Sequence, residues 1–464
     1  MDAPTEDPMG ALCRFAVETR FGDLPPDVVE HAQYTLLDSM AVLIGGSAME
    51  GVPAIIDLVK ARGGAPESLL PFYGGRVPAA EAALALGPMP RAMDCGDLHE
   101  EAGHISEYVL SALLAATGLV PRVTGQQFLT AFVIGQETLV RIGAAYGVIS
   151  SAIPAGDCGG HYILGAVAAV GSLLGLSREE LLDAQGIART MTQPHTMAIY
   201  APATLMVRVH HGLVCQAAIT ACQLAQRGIT GPREVLAGPT GLLTTARWDT
   251  RPEFVTADLG TTWQATRITT KRHSACYFSH SSIDGILEQM TTHGFSADDI
   301  ASIHLDISQS GWLAVCEPVS EKWEPRTVPQ CQFSLPYVVA VAAHDGRVFV
   351  ESYSATSRER GDVRELMTRI SASVDPTMTS WGARVTTRLR DGRSITTEHN
   401  YVKGHPDLPL DRQDYIDKFW ACVPYSAMPL PSGVGEQLIR DVLSMRDVQD
   451  LETALLMPLT PPTD

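Results

Sequence analysis

Positive charge is scarce in this chain. Its 464 residues include 34 lysines and arginines against 52 aspartates and glutamates, which gives a formal net charge of −18. A nucleic-acid backbone must be met by clustered lysine and arginine, so this balance argues against a nucleic-acid partner. The overall field also repels anions, and the cations that bind an anionic substrate are therefore expected to lie together in one pocket.

Cysteine pairs and long apolar runs are also lacking. The nine cysteines are odd in number and never form a C-x-x-C pair, which disfavours a disulfide framework and a zinc ribbon. We find no uninterrupted apolar run of membrane-spanning length, and no positively charged start followed by an apolar signal segment. The sequence therefore predicts a cytoplasmic protein with reduced core cysteines and no membrane partner.

Specific catalytic signatures are missing as well. The chain contains no serine nucleophile elbow, Rossmann fingerprint, pyridoxal-type signature or kinase motif set. The glycine-rich stretch at 155–160 lacks the spacing of a phosphate-binding loop. An activity must therefore be sought in less specific groups of histidines, acids and cations.

Apolar residues at helical spacing dominate the first half. The segment 25–47 has proline at its start, apolar residues three or four apart and a Gly-Gly stop, and later segments repeat this scheme. Their alanine and glycine content favours close helix–helix packing. Ser177 and Glu180 have the spacing of a helix capping box.

The pattern changes near residue 265. Strands are predicted at 300–308 and 346–353, and a hairpin with an Asp-Gly turn at 382–400, before helical spacing returns near residue 404. The predicted fold is mainly α, with a large helical domain made from both chain ends (1–265 and 404–464). A smaller α+β lid domain (266–403) is inserted between them.

The stretch 93–108, MDCGDLHEEAGHISEY, concentrates acids and histidines. His99 and His104 are five residues apart, about 140° around a helix, so they cannot bind zinc as an H-E-x-x-H pair does. A loop could still gather Asp94, Asp97, His99 and His104 around a divalent ion, or the stretch could be a solvated polar turn. Its place between two apolar helices favours a pocket.

Three further groups are candidates for anion binding. His161 opens an apolar helix, whose first N–H groups favour an anion, although a histidine at a helix start is more often a capping or packing residue than a catalyst. Arg208 has the planar fork of a carboxylate clamp, and the adjacent histidines after it point to different helix faces. A cationic group at the predicted domain boundary is the best anion site, with a surface basic patch as the alternative: Lys271, Arg272, His273 and His280.

The order of these segments resembles the MmgE/PrpD family, which includes 2-methylcitrate dehydratases, cis-aconitate decarboxylases and iminodisuccinate epimerases. The matching segments run nearly end to end: 24–46, 93–99, 103–107, 135–143, 159–177, 206–212, 224–243, 270–284, 332–340 and 403–419. The resemblance implies a cytoplasmic homodimer with its active site between a helical domain and a lid. It also implies that no organic cofactor or iron–sulfur cluster is needed.

The resemblance also implies which residues act. Carried over by position, the catalytic residues are His104, His161 and Lys271, with Asp94 beside them. Arg208, His210, Arg272 and His273 are added as substrate-binding residues, and no metal is assigned. The shared chemistry forms or protonates a carbanion next to a carboxylate, which needs a base such as histidine and cations facing the carboxylates. Glu100, Glu101 and His99 are expected on the solvated side.

Three positions depart from the family pattern. Gly96 replaces the second acid of D-x-D-D, Leu98 replaces a threonine, and Val207 replaces a carboxylate-binding lysine. Without the threonine hydroxyl and the lysine ammonium a third carboxylate would be poorly bound, which disfavours cis-aconitate decarboxylation. The sequence predicts an iminodisuccinate epimerase-like enzyme acting on a small carboxylate. A 2-methylcitrate dehydratase-like hydro-lyase is the close alternative; a metal-dependent hydrolase or a non-catalytic binding protein is less favoured.

Overall fold

A computed structural model describes residues 7–147, 159–191, 204–246, 248–431 and 433–461. Its first half is helical throughout and its second half mixes helices with one sheet, so the mainly α fold is confirmed. The first ten helices of the described chain are α1 (Met9–Glu18), α2 (Pro26–Gly46), α3 (Val52–Arg62), α4 (Ala79–Leu86), α5 (Pro88–Ala92), α6 (Ser106–Ala116), α7 (Gly125–Tyr146), α8 (Tyr162–Leu173), α9 (Arg178–Thr190) and α10 (Met206–Ala225).

Four short strands lie among these helices. β1 (Ser68–Leu69) pairs with β2 (Arg76–Val77), and β3 (Leu98–His99) pairs with β4 (Gly103–His104), both antiparallel. The predicted capping box at the start of α9 is present, because Ser177 and Glu180 each accept a hydrogen bond from the other's backbone N–H. These local signals are strong because they depend on neighbouring residues alone.

The second half contains a four-stranded sheet in the order β6-β5-β7-β8. Its strands are β5 (Ile300–Ile307), β6 (Ile370–Val374), β7 (Ala383–Leu389) and β8 (Ser394–His399). β5 and β6 are parallel, whereas β7 pairs antiparallel with β5 and with β8. The remaining helices are α11 (His280–His293), α12 (Gln309–Val315), α13 (Val319–Lys322), α14 (Val328–Gln332), α15 (Leu335–Asp345), α16 (Ala355–Arg358), α17 (Gly361–Met367), α18 (Arg412–Cys422) and α19 (Val434–Leu443).

One predicted strand is wrong and one strand was missed. Residues 346–353 alternate as a strand would, but Val350–Tyr353 form a short 3₁₀-helix. The Ser352 hydroxyl accepts a bond from the Phe349 N–H at 3.1 Å, which stabilises the turn in place of a strand ladder. β6, with its serines and alanine, has too few large apolar residues to signal a strand.

Two hydrophobic cores organise the chain. The first contains apolar residues from α1 to α10 together with Phe419 of α18 and Leu438 of α19, so both chain ends share it. The second is built from residues 275–395 around the sheet and includes Val207 of α10. The boundaries at 265 and 403 stay predictions.

Helix α7 lies at the centre of the first core. It is long and apolar enough, by length and composition, to cross a membrane, yet that apolar stretch is wholly buried inside the protein. A Cβ added at Gly135 would lie 2.7 Å from the Ala169 Cβ of α8, so glycine permits the close packing of these two helices. The eight cysteines in the described ranges are all buried and free.

Candidate active site

The stretch 93–104 is neither a metal-binding helix nor a solvated turn. Its β3–β4 hairpin pairs Leu98 with His104 and His99 with Gly103. Leu98 also donates a backbone hydrogen bond to Thr269 at 2.9 Å, which joins the hairpin to the segment that leads to Lys271. The hairpin therefore holds His104 in a fixed relation to that segment.

The expected solvent exposure of this stretch is only partly right. Glu100 and Glu101 are half-exposed at the hairpin tip, but His99 is 6% exposed and burial lowers its pKa to about 3. His99 is buried because both faces of its short strand are covered, Leu98 being only 3% exposed. The prediction that His99 lies on the solvated side was wrong.

A buried charge cluster lies beside the hairpin. Asp94 Oδ1 is 2.6 Å from Arg91 Nη1 and 2.7 Å from Lys271 Nζ, and all three side chains are nearly inaccessible. Burial alone would raise the pKa of Asp94, but the two cations lower it below its usual value. The cluster therefore carries two positive charges and one negative charge, which leaves a net attraction for an anion.

A second cluster centres on Glu107. Its Oε2 lies 3.1 Å from His211 Nε2 and 3.5 Å from His104 Nδ1. Burial raises the pKa of Glu107 to about 7, although Arg91 and Lys271 oppose this. The His211 ring stacks on Tyr108 with ring centres 4.0 Å apart.

His104 is the accessible histidine of this cluster. Its side chain is 16% exposed, whereas those of His211 and Glu107 are essentially inaccessible. Burial, followed by the charges of Arg91 and Lys271, lowers the pKa of His104 well below its usual value. These cations act on both clusters, so the two clusters form one electrostatic site with a neutral imidazole at its accessible side.

His161 is attached to the back of the hairpin. Its Nε2 lies 2.9 Å from the Ala102 carbonyl oxygen, which can only accept, so this nitrogen carries the proton. The ring is completely buried, and burial lowers its pKa to about 4. Residues 155–158 of the glycine-rich turn before it lie outside the described residues. His161 thus holds the loop between the strand of His99 and the strand of His104.

Helix α10 separates the residues that the sequence grouped together. Arg208 is bonded outside the charge cluster, since Nη1 donates to the Glu50 carbonyl at 2.9 Å and Nη2 to Gln332 Oε1 at 3.4 Å. The His210 ring lies 6.2 Å from the His211 ring at an 82° angle and faces a different direction. The structure brings His211, and not His210, to Glu107.

Arg272 and His273 line a separate cleft. Lys271 contacts Asp94, whereas the chain bends from residue 272 onward and Arg272 Nη1 lies 3.6 Å from Asp284 Oδ2. The cleft has a volume of about 320 Å³ and is also lined by Arg347, Phe349, Leu410 and Asp417. His273 Nε2 is 2.7 Å from Asp284 Oδ1. The structure therefore does not bring these two predicted binding residues to Lys271.

The four residues that a loop could have gathered around a divalent ion form no metal site among the described residues. Within the described ranges, no group of three or more histidine, cysteine, aspartate or glutamate side chains could hold a metal ion. Asp97 accepts a hydrogen bond from the Ser106 N–H at 2.9 Å, and burial raises its pKa to about 7. Its position is that of a structural acid beneath α6.

Two residues of the site, Arg91 and Glu107, were not predicted as site residues from the sequence. Arg91 and Glu107 are single charges inside otherwise apolar helices, α5 and the first turn of α6. A lone charge on an apolar helix is rarely fully buried unless it is paired, which was the available signal. Their partners are set by tertiary packing and could not be read from spacing.

The fold and the site define an enzyme whose acid–base and cationic groups meet in one buried cluster. Sequence models of the MmgE/PrpD N-terminal domain and C-terminal domain match residues 10–254 and 273–429. The chain belongs to the MmgE/PrpD family.

Curated relatives share most of the chain. The cis-aconitate decarboxylase-like protein oryM of Aspergillus oryzae is 27% identical over 96% of both chains. The cis-aconitate decarboxylase of Aspergillus terreus is 26% identical over 88% of this chain and 87% of its own. The human cis-aconitate decarboxylase is 26% identical over 83% and 81%. These findings support an enzyme of the lyase type.

Proposed function

We propose that the protein removes a proton from the carbon next to a carboxylate of a small dicarboxylate, without a cofactor, in an epimerase-like reaction. The observation that carries this proposal is the contact of Glu107 with His104 beside the Arg91–Asp94–Lys271 cluster. It combines a neutral base with cations that stabilise the negative charge formed on the substrate.

Substrate binding would prepare His104 for its task. The charges of Arg91 and Lys271 help to lower the pKa of His104 in the empty site. A bound carboxylate offsets these charges, so the pKa of His104 rises toward the range in which a histidine is an effective base. The base would thus become strongest when the substrate is present.

Two apolar residues bear on how many carboxylates the substrate carries. Val207 lies in the second hydrophobic core, and Leu98 is buried in the hairpin. Arg208 Nη1 and Nη2 already donate to the Glu50 carbonyl oxygen and to Gln332 Oε1, so neither nitrogen is directed at a third carboxylate. A substrate with two carboxylates fits this charge balance better than one with three.

Decarboxylation of a tricarboxylate is the second candidate, because the relatives named above are cis-aconitate decarboxylases or similar to one. Dehydration of a methylcitrate-like hydroxy acid uses the same base and stays close to the first proposal. In each case the reaction begins at a carbon next to a carboxylate.

A panel of di- and tricarboxylates in deuterated water, followed by NMR, separates these reactions. Deuterium entering recovered substrate, with inversion at that carbon, supports the epimerase-like proposal. An alkene with loss of water indicates dehydration, and carbon dioxide release from cis-aconitate indicates decarboxylation. Binding without any turnover across the panel would instead make the chain a non-catalytic anion-binding protein.

We also propose a cytoplasmic homodimer with neither a nucleic-acid nor a membrane partner. The net charge of −18 and the burial of the apolar stretch of α7 support this. Light scattering on the purified protein should give twice the monomer mass of 49.8 kDa. A monomer that turns over the substrate would contradict the proposed dimer but not the proposed reaction.

A further inference from the structure

The carboxyl group of Glu107 lies in the space that a side chain at position 96 would fill. A Cβ added at Gly96 would lie 2.8 Å from Glu107 Cδ and 3.0 Å from its Cγ, and closer still to Oε1. The backbone of Gly96 is not in the left-handed region, so its conformation does not itself require glycine. Gly96 is therefore needed for the room that it leaves to Glu107.

Position 96 and the carboxyl group of Glu107 are linked by the space that they share. The resemblance to the family leads us to expect an acidic side chain at position 96, where this chain has glycine, while Glu107 lies in a segment (103–107) that matches the family. The carboxyl group of Glu107 fills the volume directly over Gly96. The two positions form one coupled unit.

The carboxyl group is buried but has no settled partner. Neither oxygen completes a well-aligned hydrogen bond to a described residue, although Oε2 approaches His211 and His104. Charged and titratable groups face it from every side: Asp38 of α2, Arg91 of α5, Asp94 and Asp97, His104, His211 of α10, Lys271, and Lys418 of α18. A buried carboxyl without a fixed partner can exchange a proton with a neighbouring imidazole.

We propose that Glu107 is a positioning residue that takes up the proton passed on by His104, and that Gly96 makes room for it. This role rests on the proposed function. When the substrate C–H bond breaks, its electron pair stays on the substrate and the proton goes to His104 Nε2. The proton on Nδ1 then passes to Glu107 Oε2, which leaves a neutral imidazole and a neutral carboxyl group.

The protonation of Glu107 suits this exchange. Burial raises its pKa to about 7, against the opposing charges of Arg91 and Lys271. Near neutral pH the carboxyl group is therefore present in both forms, and it can accept the proton and return it. An ionised Glu107 is the form that accepts, so activity falls as the pH drops through about 7.

The first experiment needs no substrate. Ring ¹⁵N shifts of His104 and His211 are measured from pH 5 to 9 in the wild type, Glu107→Gln and Asp97→Asn, with circular dichroism as the folding check. Asp97 is the matched control, because it is a second buried acid with a pKa raised to about 7 whose bond is to the Ser106 N–H. We expect an inflection near pH 7 in the wild type and in Asp97→Asn, and its loss in Glu107→Gln.

Every other pattern overturns the proposal. An inflection that persists in Glu107→Gln, or that disappears equally in Asp97→Asn, assigns the titration to another group. A wild type without any inflection between pH 5 and 9 would show that Glu107 does not titrate in this range and would also overturn the proposal. That measurement does not depend on whether a variant folds. Because no substrate is used, these outcomes are independent of the proposed reaction.

The second experiment tests the coupling of positions 96 and 107 on the substrate found by the panel. Gly96→Ala displaces the carboxyl group from the histidines, so we expect it to lower kcat about 100-fold with little change in KM, and we expect the same loss in Glu107→Ala. The double variant Gly96→Asp/Glu107→Ala returns a carboxyl group to the same space and should recover at least tenfold. Additive losses in a folded double variant would contradict the shared space.

Discussion

Lys271 and Arg272 are adjacent cations with different surroundings. Lys271 is 2% exposed and lies against Asp94, whereas the Arg272 side chain is 42% exposed and borders the 320 Å³ cleft. A charge acts strongly only where water is excluded and its distance to the reacting atoms is short. How strongly a cation stabilises negative charge at this site depends on its orientation and burial more than on whether it is lysine or arginine.

Lys271→Gln should therefore abolish substrate binding and turnover, because one of two cations at Asp94 is lost. The neighbouring variant Arg272→Gln is the control and should keep kcat/KM within about threefold, since exposed charges contribute little. Steady-state kinetics on both variants provides the measurement. Equal losses in the two would show that the substrate reaches both clefts.

The two histidines on the hairpin and behind it should both be indispensable. His104→Ala removes the base, and His161→Ala removes the bond to Ala102, so we expect kcat to fall about 10²–10⁴-fold in each case. His210→Ala, which does not contact Glu107, should be far less affected. Retained activity in both His104→Ala and His161→Ala would contradict the site.

At the scale of elements, glycine and alanine bring α7 and α8 together. A Cβ at Gly165 would collide with the Leu139 side chain and lie 3.0 Å from the Gly135 carbonyl oxygen. Both helices are rigid and buried, so neither can shift without disturbing its own packing. The site depends on this contact because His161 immediately precedes α8.

Gly165→Val should lower the free energy of unfolding by about 1–3 kcal/mol or more through overpacking. Gly361→Ala is the matched surface control, since nothing lies within 4 Å of a Cβ there. Urea denaturation of both variants measures the difference. A Gly165→Val protein as stable as the wild type would show that the two helices separate easily.

The elements were predictable to the extent that their signals are local. The helices, the capping box and the hairpin of β7 and β8 follow from spacing and turn residues. The 3₁₀-helix at Val350–Tyr353 could not be predicted in this way, because the Ser352 side chain accepts a backbone hydrogen bond in place of a neighbouring strand. Likewise the segments of Asp94, His104 and Lys271 were recognisable, while the partners Arg91 and Glu107 depend on helices that meet only in the folded chain.

At the scale of the whole molecule, many histidines are buried in a neutral state. Burial lowers the pKa of His99 and His210 to about 3 and that of His31 and His161 to about 4. Fewer carboxyl groups show the opposite shift, with Asp97 and Glu107 raised to about 7. The histidines therefore dominate the dependence of stability on acidity.

Stability should rise with pH between about 4.5 and 6.5. A histidine with a lowered pKa binds fewer protons when folded than when unfolded, so the folded state is penalised below 6.5 and the penalty vanishes above it. The raised carboxyl groups act in the opposite sense over the same window but are outnumbered. Urea midpoints measured across this range should increase, and more shallowly in His210→Gln; a falling midpoint would contradict this balance.

The backbone pairing between Leu98 and Thr269 has an evolutionary consequence. It fixes the register in which the hairpin of His104 meets the segment of Lys271. Inserting or deleting one residue between Thr269 and Lys271 would move the lysine away from Asp94. We therefore expect related enzymes to substitute residues around the pocket more readily than they change the length of this segment.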